Sequence, residues 1–217
     1  MDTAIVRCTR VSDAMGELGQ AGPEKYAGSE VLPFRQAWLG LDALPRERGQ
    51  ARVGCSARGL WFYTWLEDSD IFSGATAHDQ KMWTLGDVVE FFVKPGLSRP
   101  DYWEIHVTPN GYLMDLYIED RAAFLEKRTP FETALAHRSQ ALFATAAFPD
   151  QHAWSVEICL PWPALGVQGP PDPGTRWQFA VCRYNCTGTV DDKELSSVAP
   201  FTVLSFHRYE EFLQLQF

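Results

Sequence analysis

The fold of this chain is decided by the stretch Trp83-Thr-Leu-Gly-Asp-Val-Val-Glu-Phe-Phe-Val93, followed by Tyr102-Trp-Glu-Ile-His-Val-Thr-Pro-Asn-Gly111. Both parts are short, rich in β-branched and aromatic residues, and separated by turn residues, which is typical of strands. Pro109-Asn110-Gly111 predicts a tight hairpin turn, because Asn-Gly tolerates the positive φ that such turns need. We therefore expect two antiparallel strands here, with a third one after the turn.

The same pattern recurs along the rest of the chain. Short apolar or alternating runs separated by turn residues predict an all-β fold. We expect an antiparallel β-sandwich, immunoglobulin-like or jelly-roll-like, with a short helix or two in the loops. The predicted strands are Ala4–Cys8, Ala51–Ser56, Leu60–Leu66, Val88–Lys94, Trp103–Thr108, Tyr112–Ile118, Leu142–Phe148, Trp154–Leu160, Trp177–Tyr184 and Phe212–Phe217.

Three segments are less regular. Residues 1–35 are expected to wrap around the sandwich as an arm, and Asp120–Arg128 is compatible with a short helix. Pro163–Gly166 reads as one helical turn that stops at its glycine. No boundary divides the chain convincingly, so we expect one domain over residues 1–217, a length that is common for β-sandwiches.

Composition excludes several classes of protein. The formal net charge is −9 with no run of basic residues, which argues against nucleic acid and anionic membranes as partners. No apolar stretch approaches the length of a membrane-spanning helix. The first residues carry no secretory signal, so the expected location is cytoplasmic unless the sequence has been trimmed. The five cysteines contain no Cys-x-x-Cys pair, and we expect buried free thiols.

A family resemblance runs from Trp83 to the C-terminus. It rests on Trp83 ahead of Asp87-Val-Val-Glu90, on Glu157-Ile-Cys-Leu-Pro-Trp162, and on Phe212-Leu-Gln-Leu-Gln-Phe217. In this order and spacing the segments resemble the family 9 carbohydrate-binding modules and their DOMON-like relatives. The resemblance implies a non-catalytic β-sandwich, an accessory to glycoside hydrolases in many members, with a shallow slot for a saccharide. Oligomeric state is not predicted.

The resemblance also implies site residues. Trp83 and Phe206 match the two aromatic side chains that hold a sugar ring between them. Glu90 matches an acceptor for sugar hydroxyls, and His106 falls where a basic or polar side chain points into the slot. Arg183 and Asn185, on a later strand, complete the expected set of polar contacts.

Physical chemistry supports that mixture and offers a plainer interpretation of each residue. An indole face suits the C–H face of a sugar, and charged groups make the stronger hydrogen bonds to hydroxyls. However, Trp83 and Phe206 could be core residues, and Glu90, which shares a strand face with Val88 and Phe92, could simply pair with Arg183. Glu104 and His106 share a face that could be solvated, and the same holds for Arg183 and Asn185.

Other chemistry has weaker signals. Asp68, Asp70 and Asp79 offer oxygen ligands for one structural Ca²⁺, although a solvated acidic loop explains them as well; no cofactor is otherwise expected. DOMON relatives that bind haem suggest an alternative electron-transfer domain, with axial ligands from Met82, Met114, His78 or His106. A hydrolase would need a carboxylate pair from Glu90, Glu104, Asp115 and Glu157, and no nucleophile motif is present.

Overall fold

The computed structural model describes residues 4–15, 23–135 and 139–217. The strands, in chain order, are β1 (Ile5–Arg7), β2 (Thr9–Arg10), β3 (Leu32–Pro33), β4 (Gly49–Cys55), β5 (Gly59–Glu67), β6 (Val88–Lys94), β7 (Tyr102–Val107), β8 (Leu113–Ile118), β9 (Leu142–Phe148), β10 (Ala153–Pro161), β11 (Arg176–Thr187), β12 (Thr189–Ser197) and β13 (Leu213–Gln216). Two short helices, α1 (Arg121–Leu125) and α2 (Phe131–Ala134), follow β8.

These strands form two sheets. A seven-stranded sheet has the order β1-β13-β11-β6-β7-β8, with β12 also paired to β11. A six-stranded sheet has the order β2-β4-β5-β10-β9, with β3 also paired to β4. Pairing is antiparallel except that β1 runs parallel to β13 and β2 runs parallel to β4. The predicted all-β sandwich is confirmed, with parallel pairing confined to the first two strands of the chain.

The core lies between the facing surfaces of the sheets. Phe62 of β5 packs against Phe91 of β6 and Phe179 of β11, with ring centroids 5.5 and 5.7 Å apart. Because side chains alternate along a strand, residues 89, 91 and 93 of β6 face this core. Val88, Glu90 and Phe92 therefore lie on the outer face of the seven-stranded sheet, which later segments of the chain cover.

Several local predictions are confirmed. The turn after β7 closes through a hydrogen bond from the Gly111 N–H to the Thr108 carbonyl, and Gly111 has φ +84°. Helix α1 begins after Asp120, whose carboxylate accepts from the Ala123 N–H. Residues 163–166 form a hydrogen-bonded turn rather than an α-helix, ending at Gly166 with φ +80°. All five cysteines are free, and four of them are buried.

The N-terminal segment contributes to both sheets. Within the predicted arm, β1 pairs with β13 while β2 and β3 pair with β4. Lys25 anchors the segment by an ion pair of 2.7 Å with Glu157 on the outer face of β10. Part of the arm, residues 1–3 and 16–22, lies outside the described residues, and the single-domain interpretation stays a prediction. Among the residues that the structure describes, none of the helices is long and apolar enough to cross a lipid bilayer.

Candidate functional site

The register of β6 and β7 brings three of the titratable side chains together. Glu90 lies directly opposite His106, and Phe92 lies opposite Glu104. Since residues two apart on a strand share a face, Glu90, Glu104 and His106 all lie on the outer face of the seven-stranded sheet. All three are buried, with exposed fractions of 3%, 5% and 0%. The expectation of a solvated strand face at Glu104 and His106 is therefore wrong, because α1, α2 and the chain after β12 cover it.

His106 lies between the two carboxylates. Its Nε2 is 2.7 Å from Oε1 of Glu104 in a hydrogen bond. Its Nδ1 is 3.3 Å from Oε1 of Glu90, within ion-pair distance but without hydrogen-bond geometry. Oε2 of Glu104 has no hydrogen-bond partner among the described residues and lies 3.7 Å from Nδ1 of His207. The floor of the site is thus a carboxylate–imidazole–carboxylate row with spare acceptor capacity.

Burial and mutual proximity shift the pKa values of this row. Burial raises the pKa of Glu90 to about 8, with the neighbouring Glu104 carboxylate adding to the shift and His106 opposing it. Burial alone would lower the pKa of His106, but the two carboxylates raise it overall. For Glu104 the two histidines outweigh burial, and its pKa is lowered. In this row, burial opposes charge on Glu90, whereas the proximity of Glu104 and His106 favours the charged form of each of these two.

A cavity of about 320 Å³ lies above this row. Its wall is mostly aromatic. The titratable side chains in the wall are two carboxylates, one imidazole and one tyrosine. The lining residues are Trp83, Glu90, Phe92, Glu104, Leu116, Phe124, Phe131, Tyr184, Leu195, Leu204, Ser205, Phe206 and His207. His106 lies beneath Glu90 and Glu104 and supports them from below.

Trp83 and Phe206, the predicted aromatic pair, belong to different segments of the chain. Trp83 belongs to a 3₁₀ turn, Met82–Thr84, anchored by the buried Met82. The half-buried ring of Trp83 lies 5.5 Å from the His106 ring and 5.8 Å from the Phe131 ring, between centroids. Phe206 comes from the segment after β12 and is 6% exposed. Trp83 and Phe206 both line the cavity, and the role that the resemblance gives them, to hold a sugar ring between them, stays a prediction.

The segment Phe201–Phe212 forms the cover of the cavity and is held by polar contacts at several points. Tyr102 Oη lies 2.8 Å from Nδ1 of His207. Arg121 of α1 forms a two-point ion pair with Glu210, at 2.6 and 2.7 Å. Glu211 accepts hydrogen bonds from the N–H and the hydroxyl of Thr202, at 2.8 and 2.7 Å. These contacts fix the cover to β7 and to α1.

Arg183 and Asn185 are not brought to this cavity. On β11, Cys182 lies opposite Glu90, so Arg183 points to the other face, between the sheets. Its Nη2 donates to the Glu67 carbonyl at 2.7 Å and to Oδ2 of Asp68 at 3.1 Å, and it also bonds to the Asn185 side chain. Asn185 in turn donates to Glu47 at 2.8 Å. The alternative considered for Glu90, a pair with Arg183, is not formed, because strand alternation places the two side chains on opposite faces of the sheet.

Two of the predicted calcium ligands, Asp68 and Asp70, accept hydrogen bonds from other groups of the protein. Asp68 is buried and accepts from Arg183, from Trp154 Nε1 and from the Asp70 N–H. Asp70 accepts from the Gly188 N–H at 2.7 Å, and Asp79 is partly exposed with φ +62°. Calcium at this place stays a prediction. Among the described residues, one group of side chains is close enough together to hold a metal ion. It consists of Glu90, Glu104 and His106, whose candidate ligand atoms lie within 4.8 Å of one another.

Two of the four haem candidates are neighbours, because Met114 of β8 lies directly opposite His106 of β7. Met82 and Met114 are completely buried. His78 lies outside the cavity lining, where its Nδ1 accepts from the Leu113 N–H at 2.9 Å. His106 has both ring nitrogens directed at carboxylates. Haem binding therefore gains no support from the arrangement of these four side chains.

Sequence reasoning missed several lining residues. Glu104 was considered only as a solvated neighbour of His106 and as one of four possible hydrolase carboxylates, and was not selected as a ligand contact. Tyr184 shares the face of Cys182 opposite Glu90, and strand pairing would have been needed to find it. Phe124, Phe131 and His207 lie in covering segments whose position no sequence pattern predicts. A second, larger cavity of about 660 Å³ lies at the β8 edge, and Phe124 is part of both walls.

Comparison with solved structures places this architecture among known folds. The chain is similar to a candidate carbohydrate-binding protein from Bacteroides uniformis, with a TM-score of 0.69, 16% identity and 99% of each chain covered. It is also similar to a family 9 carbohydrate-binding module from Caldicellulosiruptor kristjanssonii. The complex of that module with cellotriose gives a TM-score of 0.66 at 12% identity, covering 98% of this chain and 92% of the other. Its glucose complex gives 0.67 at 11% identity, with coverage of 98% and 94%.

Comparisons by sequence, unlike the comparison by structure, find no match. No protein-family model matches the chain. No curated protein matches it either. The likeness is thus carried by the arrangement of the strands and not by sequence identity. The fold of this chain is that of the family 9 carbohydrate-binding modules.

Proposed function

We propose that this protein is a non-catalytic saccharide-binding domain whose ligand enters the cavity above Glu90 and Glu104. The observation that carries the proposal is the lining itself, in which aromatic rings surround two buried carboxylates. The solved modules of the same fold, bound to cellotriose and to glucose, support a saccharide as the class of ligand.

Size and chemistry both suit one sugar ring. A volume of about 320 Å³ is at the lower end of the range for small-molecule sites. The C–H face of a pyranose packs favourably on an aromatic ring, and Trp83 and Phe206 offer such rings in the proposed site. Its hydroxyls need buried acceptors, and an unmatched polar group costs about 1–3 kcal/mol. Glu90 and Glu104 supply those acceptors.

The fixed positions of the two carboxylates also support saccharide binding. Glu90 and Glu104 stand on adjacent central strands, and His106 holds them from below. Side chains fixed in this way lose little conformational freedom when a ligand binds, which increases affinity. The domain thereby offers preformed acceptors and needs no catalytic group.

The test is calorimetric titration of the protein with glucose, galactose, cellobiose and xylobiose, alongside the variant Trp83→Ala. We expect heat of binding with at least one of these sugars, and a loss of at least about tenfold in affinity in the variant, since aromatic contacts contribute about 0.5–1.5 kcal/mol beyond their burial. Trp65→Ala is the matched control, because Trp65 is a half-buried tryptophan on the six-stranded sheet, stacked near Phe148. Equal loss in both variants, or no heat with any sugar, would contradict the proposal.

A further inference from the structure

The charged side chains that line the cavity are mainly acidic. Two carboxylates line it, and among the described residues no lysine or arginine does. The imidazole of His207 lies at the wall, 3.7 Å from Glu104, and His106 lies between the two carboxylates. Six aromatic rings make up most of the remaining wall, those of Trp83, Phe92, Phe124, Phe131, Tyr184 and Phe206.

The two carboxylates are close enough to share one donor group. The candidate ligand atoms of Glu90, Glu104 and His106 all lie within 4.8 Å of one another. A tetrahedral ammonium making two charged hydrogen bonds of about 2.8 Å bridges acceptors about 4.6 Å apart, which matches this spacing. A hydroxyl has only one hydrogen to donate, whereas an ammonium has three. One ammonium can therefore donate to both carboxylates at once, and one sugar hydroxyl cannot.

The structure also leaves acceptor capacity for such a group. Oε2 of Glu104 is buried and has no hydrogen-bond partner among the described residues. Aromatic rings attract cations through their negative faces, so the wall favours a positive ligand as well. The pKa of Glu90 is raised because burial disfavours its charged form, and a bound cation would favour that charged form again.

Building on the proposed function, we propose that the preferred ligand is an amino sugar, a saccharide whose free amine is protonated and bridges Glu90 and Glu104. A neutral sugar of the same shape binds more weakly because its hydroxyls carry no charge, and hydrogen bonds from a neutral donor are weaker than those from an ammonium. A uronic acid is rejected, since its carboxylate would lie against that of Glu104 in a cavity that, over the described residues, no lysine or arginine lines.

The experiment compares glucosamine, glucose, N-acetylglucosamine and glucuronate by calorimetric titration at about pH 6, where an amine of ordinary pKa is protonated. We expect glucosamine to bind about tenfold more tightly than glucose and glucuronate to give no heat. N-acetylglucosamine, whose amine is capped and uncharged, should lose the advantage. Glu104→Gln should bring glucosamine and glucose to similar affinity.

Controls separate this inference from the proposed function. Glu30→Gln removes the same charge at an exposed position outside both cavities and should leave the glucosamine preference intact. Equal affinity of glucose and glucosamine, or a preference that survives in Glu104→Gln, overturns the inference and leaves saccharide binding standing. If no sugar binds, both proposals fail. If binding of glucosamine disappears on adding EDTA, a metal ion and not the ammonium bridges the carboxylates, which also overturns the inference.

Discussion

At the scale of single residues, strand alternation decides what each polar side chain does. Glu90 and Arg183 lie on neighbouring strands, yet one faces the cavity and the other faces the space between the sheets. Sequence alone predicted that Glu90 shares a face with Val88 and Phe92, but not that this face is the outer one. It could not place Arg183, because the pairing of β11 with β6 sets which residues share a face, and pairing is a long-range property.

Arg183 provides a test of that distinction. Arg183 and Asp68 are both about 99% buried and pair at 3.1 Å. We expect Arg183→Met to lower the free energy of unfolding by about 3–5 kcal/mol, because it leaves the carboxylate of Asp68 buried without its partner. Chemical denaturation measures the loss. The double variant Arg183→Met with Asp68→Asn should recover part of it, since the stranded charge is then removed.

The matched control is Arg176→Met, an exposed arginine on the same strand, for which we expect little change in stability. Saccharide affinity of folded Arg183→Met should equal that of the unchanged protein. A fall in affinity at unchanged stability would instead place Arg183 in the binding site, as the family resemblance implied.

At the scale of elements, the pattern of apolar residues in the sequence predicts the central strands well and the covering segments poorly. Val88–Lys94 and Leu142–Phe148 are predicted to the residue. By contrast, β12 was missed, because Thr189-Val-Asp-Asp-Lys-Glu carries few apolar residues and becomes a strand only through pairing with β11. The cover, Phe201–Phe212, has no regular pattern, and short polar contacts hold it in place.

Glu211 stabilises the cover internally by its contacts with Thr202 and Arg208, and its charge makes these contacts depend on pH. Burial alone would raise the pKa of Glu211, but hydrogen bonds from Arg208 and Thr202 hold it at about 2 instead of the usual 4.5. A lowered folded-state pKa means that the stabilisation is complete above pH 4.5 and is lost as the pH falls toward 2. We expect Glu211→Gln to reduce stability by about 1 kcal/mol at neutral pH, a modest value because Arg208 is 42% exposed.

The measurement is thermal unfolding of both proteins between pH 7 and pH 2. The difference in melting temperature should shrink as the pH falls below 4.5 and vanish near 2, if the molecule remains folded there. Glu30→Gln, at an exposed site, should show no comparable difference at any pH. A Glu211→Gln difference that is constant over the whole range would mean that shape, and not charge, accounts for the contact.

At the scale of the whole molecule, the two sheets share one core, and the first strands of the chain join both of them. That connection was foreseen only as a wrapping arm, since strands of two or three residues carry too little pattern to reveal their partners. Because Phe62 of one sheet packs directly on Phe91 and Phe179 of the other, neither sheet can separate without exposing aromatic surface to water. The sheets should therefore unfold together.

Three buried thiols can report on this cooperativity. Cys159 lies in the six-stranded sheet, while Cys182 and Cys186 lie in the seven-stranded sheet, and all three are at most 1% exposed. Burial raises the pKa of Cys159 to about 12 and that of Cys186 to about 11, so alkylation in the native state is slow. We expect all three to be alkylated in denaturant with one common midpoint that matches the loss of β-sheet circular dichroism, as two-state unfolding requires. Peptide mass spectrometry measures each site separately, and labelling of Cys159 at a lower denaturant concentration than the other two would show that the six-stranded sheet opens first.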